Sequence, residues 1–107
     1  MENTENIKAL YIIVNAGFSD EAVEITRNCG ARGATLINAR GTGQQLKTIL
    51  GIAYEPEKEI IISLVPEHIA DRIITAIKEN IGVNTPSQGI CYTMPVDKMT
   101  LISKPRD

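Results

Sequence analysis

Apolar and polar positions alternate with two different periods along this chain, and each change of period marks an element. Lys8–Val14 (KALYIIV) is a short apolar run rich in β-branched residues, closed by Asn15-Ala16-Gly17, and it predicts a buried strand. From Ser19 the period lengthens: Ala22, Ile25, Thr26 and Cys29 recur at i, i+3, i+4, i+7, with Glu24, Arg27 and Asn28 on the other side. This predicts a helix over Ser19–Cys29, with Ser19 and Asp20 as N-cap chemistry and Gly30 as the C-cap residue. Ala34–Ala39 (ATLINA) and Glu59–Val65 (EIIISLV) read as the second and third strands, the latter closed by Pro66. Over Glu67–Asn80, Ile69, Ile73, Ala76 and Ile77 share one helical stripe, acidic residues lead, Lys78 sits near the end, and Ile81-Gly82 marks the stop. The small and polar residues Val83–Gln88 lead through Gly89 to a fourth strand, Ile90–Val96, where Pro95 argues for a sheet edge or strand end. Met99–Ser103 is the candidate for a short final strand.

The resulting order, β-α-β-β-α-β, predicts an α+β, ferredoxin-like protomer: an antiparallel four-stranded sheet with two helices on one face. Its other face needs cover, because strands one and three are apolar at both sets of alternate positions, and association through the sheets is expected. One connection does not fit a hairpin. Arg40–Lys58 spans nineteen residues where two to five would do, and a loop of that length is usually functional or disordered. The chain is read as one domain over residues 1–107 with this long functional loop at about 40–58.

Composition narrows the function classes. A formal net charge of −2, with eleven basic against thirteen acidic residues, gives no broad surface for a nucleic-acid backbone. Four aromatic side chains, Tyr11, Phe18, Tyr54 and Tyr92, and no Trp are too few for a base-stacking platform. No apolar run approaches the roughly 20 residues of a membrane span, and Met1–Asn6 is polar and acidic, unlike a signal peptide, so a cytoplasmic location is expected. Cys29 and Cys91 lie 62 positions apart, which suits reduced, partly buried thiols rather than a disulfide framework or a zinc knuckle.

For catalysis the chain is poorly equipped, and no catalytic or metal-ligating set is assigned. Its one histidine, His68, stands at a helix start, and Glu55, Glu57 and Glu59 alternate as at an exposed strand entry rather than as a tuned pair. The first loop, Asn15-Ala16-Gly17-Phe18, holds neither the arginine of an acylphosphatase-like site nor the paired cysteines of a heavy-metal carrier. Anion binding has better material. Gly41-Thr42-Gly43-Gln44-Gln45 offers two glycines that let backbone N–H groups converge and two amide side chains, and at the loop's far end Lys58 could bring an ammonium to a phosphate gathered there. Taken alone, this Gly-x-Gly is also compatible with an ordinary turn.

Thr35-Leu36-Ile37-Asn38-Ala39-Arg40-Gly41-Thr42-Gly43-Gln44-Gln45, together with Lys58, Ile60–Val65, Pro66 and Gly89–Val96, resembles the P-II nitrogen-regulatory signalling proteins from Ile7 to about Ser103. The resemblance implies a homotrimer that binds an adenine nucleotide (ADP, AMP or ATP) or another small anion in clefts between subunits. It also implies a projecting loop at about Gly43–Lys58 that docks on a membrane transporter or metabolic enzyme. On this resemblance Thr35, Gly41, Gly43, Gln44, Gln45, Lys58 and Gly89 fall at nucleotide or effector positions, with Gln45 matching the glutamine that organises metal and oxo-acid. Gln44 and Ile90 stand where the family carries an arginine and a lysine, and Leu101 and Ser103 where it carries C-terminal arginines. Lys104 and Arg106 are basic but of opposite strand parity. Fewer cations imply a ligand with fewer phosphates than ATP. A small ferredoxin-like enzyme, or a ligand-free trimeric assembly module, is the alternative.

Overall fold

A computed structural model describes residues 6–41, 47–49, 52–54 and 57–99. Its elements are β1 (Ile7–Asn15), α1 (Ser19–Asn28), β2 (Thr35–Arg40), β3 (Lys47–Ile49), β4 (Ile52–Tyr54), β5 (Glu57–Pro66), α2 (Glu67–Ile81) and β6 (Ile90–Pro95). The main sheet is antiparallel in the order β2-β5-β1-β6. This is the ferredoxin-like arrangement that the sequence periods predict. β6 is an edge strand, so Pro95, opposite Lys8, removes no donor from a central ladder.

The two central strands explain why both of their alternate sets are apolar. Leu10, Ile12 and Val14 of β1 and Ile61 and Val65 of β5 are buried in a core shared with Ala22, Ile69, Ala70, Ile73 and Ile77 of the two helices. The opposite face carries Ala9, Tyr11 and Ile13, Ile60, Ile62 and Leu64, and Ile90, Tyr92 and Met94. Ile13 faces Ile90, Tyr11 faces Tyr92, and Ala9 faces Met94 across the β1–β6 ladder. Tyr11 and Tyr92 stack with ring centroids 5.4 Å apart, and Leu64 is 53% and Ile90 50% exposed. The helices cover one side of the sheet, and an apolar side remains open.

Two local expectations change. Helix α1 is not capped by Ser19 or Asp20: its N-cap is Phe18, and no side chain of that turn makes a cap bond. The connection between β2 and β5 is not structureless either, since β3 and β4 pair as an antiparallel hairpin, with Lys47 opposite Tyr54. The expected final strand, Met99–Ser103, lies outside the described residues after Met99, which is not in a strand. Both cysteines are free and half-buried, as expected.

Candidate functional site

One end of the main sheet gathers three chain segments. The register sets Lys58 opposite Asn15 on one side and opposite Ala39 on the other, so the first residues of β5 lie between the end of β1 and the end of β2. Gly41 follows β2 directly and lies against the Lys58 stem, where a Cβ added to Gly41 would stand 3.4 Å from Cγ and 3.6 Å from Cε of that lysine. These are ordinary van der Waals distances, and φ is positive at Gly17 and Gly30 but not at Gly41, so neither close approach nor backbone handedness requires a glycine there.

The Lys58 ammonium is held in place. Its Nζ donates to Asn15 Oδ1 at 2.5 Å. Asn15 Nδ2 donates to Pro86 O at 2.8 Å, and the Asn15 backbone N–H donates to Ser87 O at 2.9 Å. The loop after α2 is thereby fastened to the same end of the sheet as Gly41 and Lys58. Within that loop Ser87 Oγ donates to Ile81 O at 2.6 Å and Gly89 N donates to the same carbonyl at 2.8 Å. These two donors satisfy the last carbonyl of α2. Gly89 contributes to the loop's shape, because a Cβ there would collide with that carbonyl, and its N–H already has a partner inside the chain.

Sequence reasoning missed Asn15 and Glu59. Asn15 was legible only as a turn residue after strand one. Glu59 is not an exposed strand-entry charge: it is half-buried, and its Oε1 accepts from the backbone N–H groups of Gly17 and Ser19 at the start of α1.

Of the candidate residues, Gly41, Lys58 and, through its loop, Gly89 share this end of the sheet. Thr35 does not. It opens β2 opposite Ile62, and six residues of extended chain put it about 20 Å from Gly41. Gly43, Gln44 and Gln45 lie outside the described residues, as do Leu101, Ser103, Lys104 and Arg106. A hollow of about 170 Å³ bordered by Thr26, Arg27, Arg32 and Leu36 lies between α1 and β2, near the Thr35 end and away from Lys58. No group of three or more His, Cys, Asp or Glu placed to hold a metal ion occurs among the described residues. No helix there is long and apolar enough to cross a membrane.

The model of the family described as nitrogen regulatory protein P-II matches residues 7–106. The chain belongs to the P-II family. Among solved structures, a PII-like signalling protein of Thermus thermophilus is 25% identical with a TM-score of 0.65, over 82% of this chain and 84% of that one. CPII, a nitrogen regulatory PII-like protein of Thiomonas intermedia K12 solved with ADP, AMP and bicarbonate, is 18% identical with a TM-score of 0.69, over 90% and 96%. GlnK of B. subtilis, solved with ATP, is 15% identical with a TM-score of 0.66, over 89% and 85%. The last two likenesses show the P-II fold alone. No curated protein sequence matches the chain.

Proposed function

We propose that this P-II protein is a signalling regulator: it binds a small anionic effector between copies of itself and acts on a membrane transporter or metabolic enzyme through residues 40–58. The observation that carries the reading is the meeting of Gly41, Lys58 and the 82–89 loop at one end of the sheet, with the Lys58 ammonium already oriented there. The effector is an adenine nucleotide with one or two phosphates, or a carboxylate or bicarbonate. Solved P-II structures with ADP, AMP and bicarbonate, and with ATP, support that ligand class.

Thr35, at the far end of β2, enters the same site from a neighbouring subunit of a homotrimer. The open apolar sheet face, with Leu64, Ile90, Tyr92 and Met94 exposed, supplies the surface for that assembly. Gly43, Gln44 and Gln45 are the further effector residues of this proposal. The protein works by ligand-linked docking rather than turnover, in a cytoplasmic setting. The test is calorimetry of the trimer against ATP, ADP, AMP, cyclic nucleotides, oxo-acids and bicarbonate, with chromatography of the nucleotide afterwards. Saturable binding with the ligand recovered intact supports the reading; steady conversion of the nucleotide overturns it in favour of an enzyme.

A further inference from the structure

Asn15 is the only residue through which the described hydrogen bonds link the Lys58 ammonium to the loop after α2. Its amide orientation is fixed by chemistry: Oδ1 accepts from the Lys58 ammonium at 2.5 Å and Nδ2 donates to Pro86 O at 2.8 Å. The flipped amide would set a donor against the ammonium and an acceptor against a carbonyl, so one orientation alone satisfies both neighbours. The same residue's backbone N–H holds Ser87 O at 2.9 Å, and Ser87, 1% exposed, shares Ile81 O with the Gly89 N–H. A continuous set of bonds therefore runs from the ammonium through Asn15 to Gly89. An anion arriving at Lys58 draws on the only side-chain donor that Asn15 Oδ1 has among these contacts.

We propose that Asn15 is the positioning residue of the anion site: it aims the Lys58 ammonium past Gly41 and makes the 82–89 loop respond to what that ammonium holds. This rests on the reading that Lys58 binds the effector's anionic group. An amide suits the role because it accepts from the ammonium without neutralising it. A carboxylate at the same place would pair with Lys58 and compete with any anion.

Binding of ADP and of pyrophosphate to the assembled protein, followed by calorimetry and by amide resonances of Gly41, Ser87 and Gly89, tests the proposal in wild type, Asn15→Ala, Asn15→Asp and Lys58→Ala. In wild type, all three resonances move with one saturation curve. In Asn15→Ala, the affinity falls about tenfold, the loss of one oriented hydrogen bond, and Gly41 still responds while Ser87 and Gly89 no longer do. Asn15→Asp, nearly isosteric and able to keep the backbone bond to Ser87, falls further than Asn15→Ala because it adds a negative charge beside the ammonium. Equal binding by both Asn15 variants and wild type, with Lys58→Ala inactive, overturns the role of Asn15 and leaves the Lys58 reading standing. Wild-type binding that Lys58→Ala does not weaken overturns both. A change at Ser87 and Gly89 that survives in Asn15→Ala overturns the coupling, and thermal unfolding of Asn15→Asp at the wild-type midpoint excludes misfolding as the cause of its loss.

Discussion

Glu59 caps the helix that Ser19 begins: its Oε1 accepts from the Ser19 N–H at 3.3 Å and from the Gly17 N–H at 3.1 Å. The first N–H groups of a helix have no partner inside it, and a carboxylate satisfies them while opposing the positive end of the dipole. A strand residue forty positions later in the chain does what the local Ser19-Asp20 pair was expected to do, and so fixes the start of α1 to the sheet end that carries Lys58.

Removing this cap has a graded cost. Glu59→Ala should lower stability by about 1 kcal/mol and Glu59→Gln by roughly half as much, since glutamine keeps an acceptor and loses the charge. Ser19→Ala should cost less than Glu59→Ala, because no side-chain cap bond is lost with it. Urea unfolding midpoints check the order of the three variants.

The elements themselves were legible because their cause is local. The buried set Leu10, Ile12 and Val14, and the helical stripe Ile69, Ile73 and Ile77, are periodic signals that survive folding unchanged. The site was legible only in part. Gly41 and Lys58 were singled out through a motif, but strand register is what sets them together, and neither a positive φ nor a tight contact explains the glycine. Asn15 and Glu59 escaped because each acts across strand register, on Lys58 and on Ser19, which no spacing along one segment encodes. Gly89 was assigned to the effector site for its likeness to a family position, and the structure adds that its N–H serves the end of α2.

That use of Gly89 makes its replacement a backbone matter. A Cβ there meets the Ile81 carbonyl, which belongs to the helix backbone and cannot rotate aside. Gly89→Ala should cost about 1–3 kcal/mol, in the range of overpacking changes, and should shift the Ser87 and Gly89 amide resonances without any ligand. Thermal unfolding and the unliganded spectrum measure the two effects.

Cys91 gives the stability a dependence on alkaline pH. Burial pushes its thiol from an ordinary 9.0 up to about 12. The folded state therefore keeps the proton that the unfolded state releases. Its contribution is complete below the unfolded pKa and is lost as pH rises from about 9 through 12. Urea midpoints measured from pH 8 to 10.5 should fall in the wild type, with a smaller fall in Cys91→Ala, and a thiol reagent at pH 8 should label Cys91 slowly until denaturant is added.

The open sheet face should govern assembly. Leu64, 53% exposed on central strand β5, belongs to the apolar side that the helices leave uncovered. Leu64→Glu would place a charge where a neighbouring sheet is proposed to pack, and desolvating it without a partner opposes association. Light scattering at micromolar concentration should give a trimer for the wild type and a smaller species for Leu64→Glu. A wild-type monomer would remove the surface from the proposed site.

Ligand charge follows from the cations that this sheet end holds. Lys58 supplies one ammonium, while Ile90 and Gln44 stand where P-II relatives were expected to place a lysine and an arginine. Charge-assisted hydrogen bonds contribute roughly 1.5–3 kcal/mol each, so two fewer weaken a triphosphate by orders of magnitude and a monophosphate much less. Calorimetry should therefore rank AMP or ADP above ATP, with or without magnesium. Lys58→Ala should abolish binding by removing the ammonium. Gly41→Ala should bind within about threefold of wild type, because its Cβ makes an ordinary 3.4 Å contact with the lysine stem, whereas the branched side chain of Gly41→Val presses on that stem and should abolish binding. Tight magnesium-dependent ATP binding by the wild type would mean that other cations compensate, and Lys104 and Arg106 would then be the first to replace.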